Sequence, residues 1–269
     1  MSSTNYKSRN QPPNNRQLLI LLGIFAGFTI GIIWLIGWIA SSIVWLIPPS
    51  IEQQLGLVIV PIFESQTKPS AAQNTLNELL DRLEAQLPPQ QRQNRDYKVL
   101  YIPEDTVNAL AIPGDRIIIY GGLVKQAQSE NELMMVLWHE LGHFVNRDHL
   151  RSLGRAVIVQ LAISYFVGDV GTIGSVAVSG VESLSNAQFS QSQESQADEV
   201  GLKLLQQTYG HVAGATDFFA RMSEKKASDD IDFLATHPAP GRRVKELQQL
   251  IKQRNYKVEQ KLPLPPTLP

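Results

Sequence analysis

The chain has 269 residues, 24 Lys+Arg against 25 Asp+Glu for a formal charge of -1, and no cysteine. That balance leaves no basic excess with which to bind nucleic-acid phosphates. Without thiols the chain can form no disulfide framework, cysteine zinc ribbon, iron–sulfur cluster or thiol nucleophile. Any transition-metal chemistry falls to five histidines and the carboxylates.

In chain order, residues 1–17 form a polar tail carrying Lys7, Arg9 and Arg16. Residues 18–47 then run for thirty positions without a charge: 23 are apolar, four are glycine, and the others are Thr29, Ser41 and Ser42. As a helix they reach about 45 Å, more than the ~30 Å hydrocarbon core of a bilayer. The run is too long for the core of a signal peptide, roughly 7 to 15 residues, and is expected to be a retained single-pass membrane anchor. The basic residues ahead of it predict a cytoplasmic N-terminus and place the rest of the chain on the far side, in a periplasm or lumen. Gly23, Gly27 and Gly31 recur every four residues and offer a face on which a second copy could pack into a homo-oligomer.

Residues 48–70 read as a linker. Between Ala71 and Leu87, leucines at 76, 79, 80, 83 and 87 predict an amphipathic helix closed by Pro88 and Pro89. Strands are expected over 97–102, 106–112 and 116–120, with Pro113-Gly114-Asp115 turning between the last two. Ser129-Glu130-Asn131-Glu132 is a capping box and opens a strongly apolar helix. That helix contains His139-Glu140-Leu141-Gly142-His143.

Positions i and i+4 share one helix face, so His139 and His143 can bind one zinc ion together, and Glu140 can reach a water beside it as general base. Such a metal lowers the pKa of water and polarises a carbonyl, the chemistry of peptide hydrolysis. A third ligand is required, and two candidates compete. His149 sits at metzincin-like spacing, with Asn146 where that pattern has glycine. Glu194 lies on a predicted helix one turn before Asp198, which could accept a hydrogen bond from a ligating imidazole and fix its tautomer; this carboxylate favours Glu194.

The run Asp105-Thr106-Val107-Asn108-Ala109-Leu110-Ala111-Ile112-Pro113-Gly114, with Tyr120-Gly121-Gly122-Leu123, His139-Glu140-x-x-His143, Glu194-x-x-x-Asp198 and Thr236-His237-Pro238 with Arg243, resembles the HtpX-type membrane zinc metalloproteases. These are gluzincin-like relatives of the Oma-type, BepA-type and CaaX prenyl proteases, and the resemblance covers about residues 70–252. It implies an α+β fold, a mainly helical gluzincin-like protease domain with a small sheet, preceded by the single membrane helix. It further implies one Zn2+ per chain held by His139, His143 and Glu194, with Glu140 as base and Asp198 orienting a ligand. His237 would assist the transition state, and Arg243 would pair with groups behind the ligands. Asn108 and Ala109 would lie on the edge strand that receives the polypeptide substrate, expected to be a damaged or misfolded membrane or envelope protein.

The expected layout is thus a protease domain over 71–255 and a Pro-rich tail over 256–269. The apolar, glycine-containing stretch 156–181 departs from the family's two additional spans and reads as a buried or membrane-dipping hairpin. Two other readings are a metzincin-like protease using His149 and a non-catalytic, chaperone-like scaffold.

Overall fold

The computed structural model describes residues 14–43, 45, 49–92, 95–154, 180–182, 184–225 and 231–269. Most of the stretch 156–181 lies outside them. The chain divides into two compact units, 1–43 and 44–269.

The first unit is one helix, α1 (Asn15–Ile43). It begins three residues before the uncharged run because Asn14 and Gln17 cap it reciprocally: Asn14 Oδ1 accepts from the Gln17 N–H at 2.9 Å and Gln17 Oε1 from the Asn14 N–H at 3.0 Å. Leu19, Phe25, Ile33 and Trp34 are all exposed. The Thr29 and Ser42 hydroxyls donate to the carbonyls of Phe25 and Trp38, four residues back. Apolar outside and satisfied inside, this helix is long enough to cross a membrane.

The second unit is mainly helical around one small sheet. Its elements are α2 (Pro49–Glu64), α3 (Ala71–Glu84), α4 (Pro89–Arg92), β1 (Lys98–Ile102), β2 (Ala109–Ile112), β3 (Arg116–Tyr120), α5 (Gly121–Gln126), α6 (Glu130–Val145), α7 (Gln191–Tyr209), α8 (Asp217–Glu224), α9 (Asp232–Thr236) and α10 (Pro240–Gln253). Residues 148–154 are also helical. The strands lie in the order β1-β3-β2, with β1 parallel and β2 antiparallel to β3.

Alternation along the strands separates two cores. Val99, Tyr101, Ala109, Ala111, Ile117 and Ile119 join the main core with α3, α6, α7 and α8. Leu100, Ile102, Leu110, Ile112 and Ile118 face the other way, against Ile59, Val60 and Phe63 of α2. The stretch expected to be a linker is therefore mostly a helix that covers the second sheet face. Its apolar residues follow helical spacing, and Pro61 within it does not break it. Contact is close enough that a Cβ on Gly56 would lie 2.4 Å from the Gly114 Cα, in the turn after β2.

The Pro-rich tail is also docked. Lys257 O accepts from Val212 N at 2.8 Å, Leu262 O from Glu130 N at 3.0 Å, and Asn131 Oδ1 from Leu262 N at 2.7 Å. Leu264 and Leu268 pack on the main core. The last residues thereby strap the start of α6, whose Ser129 cap accepts from Glu132 N at 3.2 Å.

Candidate metal centre

The centre is built where α6 meets α7. Small residues permit that approach: a Cβ on Gly142 would lie 2.9 Å from the Ala197 Cα and 3.0 Å from the Ala197 carbonyl oxygen. His139 and His143 face inward from α6, while Glu194 and Asp198, also one turn apart, face them from α7. His237, the residue ending α9, closes the group from a third side. All five are buried.

One donor atom from each of His139, His143, Glu194 and His237 lies within 4.8 Å of the others. His139 Nε2 is 3.0 Å from His143 Nε2 and 3.2 Å from His237 Nδ1. Glu194 Oε1 is 3.3 Å from His143 Nε2 and 3.1 Å from His237 Nδ1. Tetrahedral ligands at about 2.0–2.2 Å from one ion stand roughly 3.3–3.5 Å apart, so these spacings fit a single ion with modest adjustment.

Each α6 histidine is held from behind. His139 Nδ1 donates to Asp198 Oδ1 at 2.9 Å, and Arg243 clasps the same carboxylate through Nη2 at 2.6 Å and Nε at 2.8 Å. Arg243 Nη1 also lies 2.5 Å from Glu194 Oε2, leaving Oε1 for the donor group. His143 Nδ1 donates to Asp148 Oδ2 at 2.9 Å. Aromatic rings wall the site: Phe189 stacks on His143 with centroids 3.9 Å apart, Phe233 stacks on His237 at 4.5 Å, and Phe219 lies 4.0 Å from the Arg243 guanidinium carbon.

The electrostatics follow from this packing. Burial pushes His139 down to about 4, helped by Arg243 and His143 nearby. Burial opposes protonation of His143 too, but the Asp148 and Glu194 carboxylates outweigh it and hold that ring up at about 10. Burial would raise the Glu194 carboxyl, yet the charges of His237, Arg243 and His139 hold it far below the usual carboxylate range. The site thus keeps the Glu194 carboxylate ionised and His139 neutral, the protonation states that metal donors need, and its net negative charge favours a cation among them. Glu140 Oε1 and His237 Nε2 are buried 3.5 Å apart, each without a hydrogen-bond partner among the described residues. Buried polar atoms are rarely left so.

His149 lies outside this group. Its Nε2 is 2.9 Å from Glu52 Oε1 and its ring stacks on Phe144. The left-handed residue after α6 is Arg147, with φ of 58°, and not Asn146, which is right-handed. Asn108 and Ala109 stand at the start of β2, where Asn108 Oδ1 accepts from the Ala109 N–H at 2.9 Å. Asp148, Phe189 and Glu52 carry no motif; the partners that give them meaning come from elsewhere in the fold.

Residues 70–251 match the model of Peptidase family M48. The chain belongs to this family. Within it, Metalloprotease LoiP of Escherichia coli (strain K12) is 30% identical over 158 residues, covering 57% of this chain and 61% of that protein. Mitochondrial metalloendopeptidase OMA1 of Arabidopsis thaliana is 28% identical over 158 residues, 57% of this chain and 31% of that protein. The beta-barrel assembly-enhancing protease of Yersinia pestis is 27% identical over 168 residues, 56% and 34%. The chain thus spans about a third to three fifths of the length of these relatives. The M48 match contains every donor of the buried group and the whole sheet.

Proposed function

We propose that the chain is a membrane-anchored, zinc-dependent endopeptidase. The observation that carries this is the convergence of His139, His143 and Glu194 donor atoms beside the buried carboxylate of Glu140. Two imidazoles and a carboxylate are the donor set of a hydrolytic zinc site. A zinc ion held there would polarise the scissile carbonyl and lower the pKa of a water molecule.

The chain's own groups do the rest. Glu140 takes the proton of the attacking water and delivers it to the departing amine. His237 is assigned to the carbonyl oxygen as it gains charge, donating from Nε2, the atom that faces Glu140. The same ring cannot serve simultaneously as a fourth metal donor through Nδ1, because that would fill the position the reaction needs open. Asp198 and Arg243 hold His139 and Glu194 in place.

The edge strand supports a polypeptide substrate. Tyr120 N donates to Asn108 O, so the ladder puts the backbone groups of Leu110 and Ile112 toward β3 and those of Ala109 and Ala111 outward. A substrate backbone could add there as a further strand, its first contact made where the Asn108 side chain now caps the Ala109 N–H. The domain layout is an M48 catalytic unit preceded by α1 as anchor, with residues 1–17 cytoplasmic and the catalytic unit on the far side. A β-barrel assembly-enhancing protease among the relatives supports misassembled membrane or envelope proteins as the substrate class.

Glu140→Gln keeps every metal donor and removes the base. Purified full-length enzyme carrying it should retain zinc yet lose cleavage of unfolded casein by at least a hundredfold; undiminished cleavage would refute the mechanism.

A further inference from the structure

We propose that Asp148 is a positioning residue for the metal ligands, its carboxylate fixing His143 through Nδ1 and tying it to the first turn of α7, next to Glu194. This inference rests on the metal-site reading above.

Asp148 is fully buried, although it is an aspartate only five residues beyond His143. Its Oδ2 accepts from His143 Nδ1 at 2.9 Å. Its Oδ1 accepts from Arg151 Nη1 and from Gln193 Nε2, both at 2.8 Å. Gln193 is the residue immediately before Glu194, and its amide oxygen accepts from the Ser190 N–H at 2.9 Å, closing the capping box of α7. One amide side chain therefore joins the cap of α7 to the carboxylate that holds a ligand of α6.

The backbone is shaped for this contact. If α6 simply continued, residue 148 would lie about 140° around the helix from His143 and could not reach its ring. Arg147 instead adopts φ of 58°, a left-handed conformation that costs energy in a residue other than glycine. The turn brings Asp148 back beneath His143. A carboxylate on Nδ1 keeps the proton on that nitrogen and leaves Nε2 free to coordinate, and such partners set metal affinity as well as ring orientation. Asp148 is thus the local counterpart of Asp198: one holds His143, the other His139.

The test measures the zinc dissociation constant of the purified full-length chain in detergent, by competition with a chromophoric chelator. Asp148→Ala should bind zinc about 10- to 100-fold more weakly than the wild type, and its casein cleavage should recover as free zinc is raised. A residue that only stabilised the fold would shift the melting temperature without changing zinc affinity or conferring rescue by zinc. Gln193→Ala and Arg151→Ala, which each remove one donor from Oδ1, should loosen zinc several-fold and cover the case in which Asp148→Ala does not fold. Wild-type affinity in these variants, with zinc lost in Glu194→Ala, would overturn the role of Asp148 and leave the site standing. Full zinc in Glu194→Ala would instead overturn the site itself, and this inference with it.

Discussion

Two buried clusters in this domain have the same ingredients. In the first, His139, His143 and His237 meet Glu194, Asp198 and Arg243. In the second, Glu52 of α2 takes His149 Nε2 on one oxygen and Arg95 on the other, both at 2.9 Å, and Arg95 reaches Asp115 at 2.6 Å. Burial and ion pairing do not distinguish them. The second cluster consumes its charges in pairs: both Glu52 oxygens are taken, and no further imidazole converges on it. In the first, four donor atoms point toward one another; among the described residues Glu140 Oε1 and His237 Nε2 there lack partners, as does His149 Nδ1 in the second. Convergence of several donor atoms on one point marks a cation site; mutual neutralisation marks a structural clasp.

The sharpest way to break this contrast is to remove one carboxylate or imidazole from each side. Glu194→Ala should lose zinc and reduce proteolysis to background, whereas His149→Ala should keep its zinc, as read by metal analysis of the purified proteins. Next in size is the packing that makes convergence possible. Gly142→Ala forces a methyl group against the Ala197 backbone, and should cost about 1–3 kcal/mol while loosening zinc, measured by thermal unfolding and chelator competition.

The clasp has a pH signature of its own. Burial alone would raise Glu52, but hydrogen bonds from His149 and Arg95 overcome it and hold the carboxyl at about 2, below its ordinary 4.5. A depressed folded-state pKa means the contribution to stability is complete above about 4.5 and is lost as pH falls toward about 2. Melting temperatures across that interval should fall less steeply for Glu52→Gln than for the wild type. The smallest effect is expected outside both clusters: Gly27→Leu in α1 should reduce cross-linked dimer in membranes if the glycine face pairs, with proteolysis unchanged.

Much of the architecture was legible because it rests on local rules. The Ser129 cap, whose Glu132 reaches back to the Gln128 N–H and not to that of Ser129, the apolar period of α3, the turn at Pro113-Gly114-Asp115 and the uncharged run in α1 each declare themselves within a few residues. The α+β class came with the family resemblance. The linker reading of 48–70 failed because α2 mixes Pro61, glycine and glutamines with its apolar stripe, and only the second face of the sheet explains that stripe. The docking of the Pro-rich tail has no local signal either, since such a segment lacks a helical pattern yet straps a helix through its backbone. Asp148 was invisible because its function depends on a left-handed residue that the chain's pattern does not announce.

By itself the sequence determined the i, i+4 pairs: His139 with His143, and Glu194 with Asp198. Helix geometry is set by neighbours, so the spacing was enough to place each pair on one face. Only the tertiary structure decided which pairs meet, because convergence depends on how closely two helices approach. Gly142 against Ala197 allows that approach, which brings Glu194 to the histidines while α2 draws His149 away to Glu52.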